Sequence, residues 1–339
     1  MALVPGVGGM RSAAGRPGGG VLCPGRDVLP PPNNALEPTA PMVACTHAAV
    51  RTWRGGSPRA FGVQKGTSMG EQSGWQVVGT APEMLERYIG PAFASTYEEL
   101  VALAALRGGE RVLDVACGTG GVTRRVAHGV GATGKVVGVD VNEGMLSMAR
   151  TVPQRHAGPP IEWHHSDAAA LPFPDAAFDV VFCQYGLEFF ANRAAGLREM
   201  ARVLVPGGRL VLRVWRALEH QPFYVALIEA LERHVRTGVA APIRAAFTLA
   251  DAAELRALVA GAGFRAVHVR ITTNPIRYLS LEAYVLGYLS ATPIARDIAA
   301  MDDAARTALL QEVTTALREY VDDDGLAAPT ESHVVVAQT

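Results

Sequence analysis

The chain has 339 residues, is 49% hydrophobic, and carries 31 basic against 32 acidic side chains for a net charge of −1. That is chain enough for about two domains of ~150 residues, or for one elaborated domain with a large core. The near-neutral balance argues against binding nucleic acid by bulk charge. No apolar stretch of about 18 residues runs without a charge or a breaker, so no membrane-spanning helix is expected. Cys23, Cys45, Cys117 and Cys183 form no CxxC pair and no metal-ligand spacing, which leaves neither a disulfide scaffold nor a metal site.

Residues 1–68 differ from the rest. They are rich in Gly and Pro, carry the Pro30-Pro31-Pro32 run and lack helical or strand periodicity. Such a segment buries too little to offset its ordering entropy, and it reads as a disordered extension. A second reading is that translation starts at Met69, just ahead of the patterned region. Residues 69–339 then form the folded domain.

From residue 80 the pattern becomes regular. Thr80 and Glu83 have the spacing of a capping box, opening a helix to about Tyr88. A second helix is expected from about Tyr97 to Leu106. Strands are expected at 111–116, 136–140, 161–165, 178–183 and 210–215, each a short run bounded by turn or cap residues. A helix is expected at 122–127. Asn142 is placed to cap another through Met145 and Met148. Leu197, Met200, Ala201 and Leu204 mark one helix face, with Pro206-Gly207-Gly208 as its stop. Asp251 opens a helix ending near Gly261, and two more strands are expected at 266–271 and 333–337. Seven strands with helices between the first six describe an α/β fold around a mostly parallel sheet with helices on both faces.

Ligands of such sheets bind beyond the carboxyl ends of the strands. Four features fall there: Asp114 with the turn Ala116-Cys117-Gly118-Thr119-Gly120 after strand one, Asp140-Val141 after strand two, Asp167-Ala168 after strand three, and Gln184-Tyr185 after strand four. Glycines allow a tight turn and close approach of a ligand. A carboxylate after strand two suits two ribose hydroxyls, and Asp167 with the Ala168 N–H suits an adenine edge. Taken singly, each feature has a bland reading: a strand-end cap, an Asx turn, a small buried cysteine. Their order along the chain describes a nucleoside crevice. Thr123 stands where a dinucleotide fingerprint has its third glycine, and Asp114 would oppose a pyrophosphate. The carboxylate instead suits the cationic S-adenosylmethionine.

These residues resemble the class I S-adenosylmethionine-dependent methyltransferases, in the small-molecule branch that includes the ubiquinone and menaquinone C-methyltransferases. The matching runs are Val112–Gly120, Val139-Asp140, Asp167-Ala168 with Leu171-Pro172-Phe173, Phe178-Asp179 and Arg202–Gly208. One departure is Ala116, where the family often has Gly. The resemblance implies a Rossmann-like fold whose last two strands pair antiparallel. It implies that Asp114, Gly118 and Gly120 hold the methionine part of S-adenosyl-L-methionine, Asp140 the ribose, and Asp167 and Ala168 the adenine, with Met145 on the adenine face and Gln184 near the methionine end; Ala116 and Val141 are expected to bind the cofactor as well.

Three stretches exceed a minimal fold: about 80–106, 218–247 and 273–325. They are expected to form a helical lid over a small bound acceptor, excluding water. The expected reaction is methyl transfer to a quinol, phenol or activated carbon in the cytoplasm, with no nucleic-acid partner and no metal. The catalytic candidates are His220 and Tyr185. His164 and His165 are expected to serve structure. A non-catalytic S-adenosylmethionine or nucleoside binder and an NAD-dependent oxidoreductase are the alternatives. Neither the acceptor nor the oligomeric state is legible.

Overall fold

Five short runs build the parallel part of the central sheet: β1 (Arg111–Val115), β2 (Lys135–Asp140), β3 (Ile161–His165), β4 (Phe178–Gln184) and β5 (Leu204–Trp215). In the computed structural model, which describes residues 79–339, β1 lies between β2 and β4, all parallel, with β3 outside β2 and β5 outside β4. Alternation sends neighbouring side chains to opposite faces. Val112, Val136, Val180 and Phe182 pack with Leu100, Val122 and Val126 of the helices Ala94–Leu103 and Gly121–Val130. Leu113, Val115, Val137 and Val181 pack on the other face with Leu197 and Met200 of Arg193–Val203, and with Leu255 and Val259 of Ala252–Gly261. Each such fully buried side chain contributes about 1.5–3 kcal/mol. The expected α/β sheet covered on both faces is the observed fold.

The remaining strands are β6 (Arg265–Tyr278), β7 (Val321–Asp322) and β8 (Gly325–Gln338). The sheet order is β3-β2-β1-β4-β5-β8-β6, with β8 antiparallel to both neighbours. The two-residue β7 pairs with β8 and makes an eighth strand beyond the seven expected. β6 and β8 are far longer than the sequence suggested, pairing from Arg265↔Gln338 out to Tyr278↔Leu326. Their outer halves escaped notice because Pro275 and Pro329, which face each other across the pair, are strand breakers in sequence.

The expected caps divide. Asn142 accepts from the Met145 N–H at 3.2 Å, and Asp251 from both Ala253 and Glu254; Ser280 also caps, accepting from the Ala283 N–H. Thr80 makes no side-chain cap. The helix it precedes is not closed near Tyr88 either: Ala81–Met84 passes into a π-turn, Leu85–Ile89, and then Gly90–Ala92. Pro91 lacks the N–H that regular helix would need there. The Arg193–Val203 helix stops before Pro206, because Leu204 already starts β5. The tail and the Met69 start lie outside the described residues.

The stretch after β5 folds into a turn, Leu218–His220, the helix Pro222–His234 and the short pieces Ala241–Arg244 and Ala245–Phe247. Between β6 and β8 lie the helices Leu281–Ser290, Ala295–Ala299 and Asp303–Ala316. These insertions share one apolar cluster with Phe93, Trp215, Ile276 and Leu326. Among the described residues, no helix is long and apolar enough to cross a membrane.

Candidate functional site

The carboxyl ends of β1, β2 and β4 open into a cavity of about 460 Å³. Asp114, Ala116, Gly118, Asp140, Val141, Met145, Asp167, Ala168 and Gln184 all line it, so nine of the ten residues expected to hold the cofactor meet in one space. Gly120 does not line it. Its φ of +86° ends the turn, and a Cβ there would fall 2.4 Å from the Trp163 ring. It serves the turn and the packing beneath it.

Asp114 is 2% exposed and accepts a 2.6 Å hydrogen bond from the Thr123 hydroxyl. Burial pushes its carboxyl up to about 7, against the pull of that hydrogen bond. In the sequence, Thr123 marks only the missing third glycine of a dinucleotide fingerprint. A hydroxyl nine residues beyond a buried carboxylate, on the first turn of the following helix, was the available signal. The turn itself is left-handed at Ala116 (φ +57°) and Gly118 (φ +55°). Burial also pushes the Cys117 thiol well up, which suits packing and not nucleophilic attack.

Asp140 grips two backbone amides. Its Oδ2 accepts from the Gly118 N–H and its Oδ1 from the Asn142 N–H, both at 2.8 Å. Burial raises its carboxyl against these bonds. Met145 is held against Ala81 and Leu85 of the opening helix. Asp167 forms an Asx turn, accepting from the Ala169 N–H at 2.8 Å, and still lines the cavity. Gln184 donates through Nε2 to the Thr96 hydroxyl at 3.0 Å, while its buried Oε1 has no partner.

The opposite end of the cavity is aromatic. Phe93, Tyr185, Phe189, Trp215, Tyr224 and Tyr288 wall it. The Tyr185 ring stacks on Trp215 at 4.1 Å, and Tyr224 meets Trp215 edge-on at 5.2 Å. Among the described residues, the charged ones that line the cavity are Asp114, Asp140 and Asp167, with no Lys, Arg or His. All three long stretches contribute to its walls: Leu85, Ile89 and Tyr97 from the first, Tyr224 and Phe247 from the second, Tyr288 from the third. They are also fastened together. Glu86 accepts from Thr119 at 2.6 Å and from Arg124 at 2.9 Å, pinning the opening helix to the glycine turn. Gly287 lies so near Tyr88 that a Cβ would meet its ring at 2.2 Å.

Neither catalytic candidate is a free base in this cavity. His220 does not line it. Buried Gln221 bonds the Glu331 backbone through both ends of its amide, which draws the turn onto β8 and leaves His220 Nδ1 3.9 Å from the Glu331 carboxylate. Tyr185 does line the cavity, but its hydroxyl lies 2.9 Å from Ser332 Oγ and burial raises its phenol. Glu188 is buried outside the lining, where its Oε1 accepts from the Trp215 N–H and burial lifts the carboxyl to about 8. His164 sits edge-on to Phe173 and His165 reaches the Val141 carbonyl, and neither lines the cavity.

Residues 97–229 match the family described as the ubiE/COQ5 methyltransferase family. A ubiquinone/menaquinone biosynthesis C-methyltransferase of Pseudomonas fluorescens is 43% identical over 113 residues, covering 33% of this chain and 44% of that protein. The enzyme of the same description from Hahella chejuensis is 44% identical over 110 residues, covering 32% and 44%. The chain thus spans less than half the length of the curated relatives it matches. A solved structure from Anabaena variabilis, described as a methyltransferase from an antibiotic biosynthesis pathway, shares the fold at a TM-score of 0.50 and 19% identity, over 72% of this chain and 96% of that one. The match at residues 97–229 includes the strand ends that bear Asp114, Asp140, Asp167 and Gln184.

Proposed function

We propose that this chain is an S-adenosylmethionine-dependent methyltransferase acting on a small, uncharged organic acceptor: a quinol, another phenol or an activated carbon. The observation that carries the reading is one cavity with two chemically different ends, three carboxylates at one and an aromatic chamber at the other. The residues at the acidic end fit the cofactor. Asp114 faces a ligand end that is cationic, and the unpartnered Gln184 Oε1 is an acceptor for an ammonium N–H. Asp140, already braced by two amides, keeps lone pairs for ribose hydroxyls. Asp167 and Ala168 meet the adenine edge, and Val141 and Met145 flank it. The left-handed backbone at Gly118 leaves open space where a side chain would stand.

Bound there, S-adenosylmethionine supplies a sulfonium methyl group for in-line displacement by the acceptor. The chain's own contribution is alignment and exclusion of water. Phe93, Tyr185 and Trp215 form an edge-and-stack cluster that keeps the chamber apolar. The three long stretches act as a lid, with Glu86 as its clasp on the glycine turn. Among the described residues, the aromatic chamber holds no carboxylate and no histidine. The acceptor atom attacks the methyl group, the methyl–sulfur bond breaks, and the acceptor's proton leaves to solvent. The proposal includes a cytoplasmic setting. It excludes a nucleic-acid partner, which the acidic lining without a cation disfavours.

Calorimetric titration of the full chain with S-adenosylhomocysteine and with NAD tests the cofactor, and incubation with S-adenosylmethionine and a panel of phenols and quinols tests transfer. Binding of the homocysteine nucleoside and a product heavier by one CH₂ is expected. Binding of NAD alone would overturn the reading.

A further inference from the structure

The aromatic chamber needs something to orient its guest, because stacking walls alone leave a flat molecule free to slide and rotate. Two hydroxyls answer that need. Tyr224 comes from the Pro222–His234 helix and Tyr288 from the Leu281–Ser290 helix, and both line the cavity. They are 3% and 5% exposed, with ring centroids 5.5 Å apart and edge-on. Each phenol offers one O–H to donate and lone pairs to accept. The other tyrosines of the lining are placed differently: Tyr185 is engaged by Ser332, and Tyr97 packs where Gly121 ends the glycine turn.

We infer that Tyr224 and Tyr288 are the specificity-determining pair of the acceptor chamber, orienting a neutral, planar molecule through one hydroxyl or carbonyl oxygen. This rests on the methyltransferase reading and adds to it the group that is recognised and the residues that recognise it. The pair is a positioning device. Burial raises both phenols above their ordinary range, so neither is a base near neutral pH. An anionic acceptor is disfavoured: among the described residues no cation lines the chamber, and three carboxylates share the cavity. Because the pair comes from both insertions, neither insertion completes the acceptor site without the other.

The test uses 2-naphthol as the neutral planar probe and 2-naphthoate as its anionic counterpart, titrated into the full chain with and without S-adenosylhomocysteine. Wild type should bind 2-naphthol and bind 2-naphthoate at least tenfold more weakly. Tyr288→Phe and Tyr224→Phe should each weaken 2-naphthol by roughly three- to tenfold, the worth of one net hydrogen bond. S-adenosylhomocysteine affinity should be unchanged in both variants, which also reports that they fold. Equal binding of the two probes, no binding of 2-naphthol, or no effect of either substitution would overturn the inference. Failure of wild type to bind S-adenosylhomocysteine would instead refute the methyltransferase reading.

Discussion

Asp114 should make cofactor affinity depend on pH in a calculable way. Its carboxyl is lifted to about 7 by burial, so in the free protein roughly half is ionised at pH 7 and about 3% at pH 5.5. A cationic ligand prefers the ionised form. Affinity should therefore rise about fifteenfold between pH 5.5 and 7.0, or ~1.6 kcal/mol, and binding at pH 6.5 should release most of one proton. The same shift bears on the free protein with opposite sign. A carboxyl whose folded value lies above its unfolded 3.8 stabilises the fold fully below that pH and loses the contribution as pH rises to about 7. Asp140, also raised, faces the same ligand, so Asp114→Asn is the needed contrast. Calorimetry in buffers of differing ionisation enthalpy measures both affinity and proton release. Parallel pH curves for wild type and Asp114→Asn would refute the reasoning.

Asp140→Ala removes the acceptor for the Gly118 and Asn142 amides together with the ribose contact; S-adenosylhomocysteine affinity should fall by at least tenfold, read by the same titration. Gly186→Ala places a Cβ 2.5 Å from that of Ala116. The two strand ends must part, which should cost about 1–3 kcal/mol in denaturant unfolding and weaken the cofactor as well. Glu188→Gln should flatten the pH dependence of stability. The wild-type carboxyl, lifted from 4.5 to about 8 by burial, loses its stabilising contribution as pH rises through that window. The variant should therefore melt higher than wild type at pH 9 and close to it at pH 5.

The first five strands were legible because each reads as a short run between turn or cap residues, largely apolar in all but β3 (Ile161-Glu162-Trp163-His164-His165), and their ends place Asp114, Asp140, Asp167 and Gln184 without further information. The outer ribbon was not: alternation marks only the inner half of β6, where Val267, Val269 and Ile271 interleave with His268, Arg270 and Thr272, and it ends at Thr273-Asn274-Pro275. That His220 lies outside the cavity lining was not legible, because loop position says nothing of which way a turn is drawn, and the buried Gln221 that draws it looks like any polar loop residue. The acceptor wall was hidden for another reason. Tyr224 stands in a helix with Phe223, Leu227, Ile228 and Leu231, all buried, and a tyrosine there has the spacing of an ordinary core residue. Only packing of two insertions against each other turns it toward a cavity.

The paired outer halves of β6 and β8 alter what the chain can tolerate. The segment between Tyr278 and Leu326 leaves and re-enters the fold at neighbouring residues. Its ends are already held at hydrogen-bonding distance, so the closure entropy of that loop is set by the ribbon and changes only slowly with the length of what is threaded through it. Helices there can lengthen, shorten or be exchanged while the strand ends that bear Asp114 and Asp140, on the far side of β4 and β5, keep their register. The ribbon works as a socket: the part of the protein that chooses a guest can diverge quickly, because it is plugged into a frame that does not have to change with it.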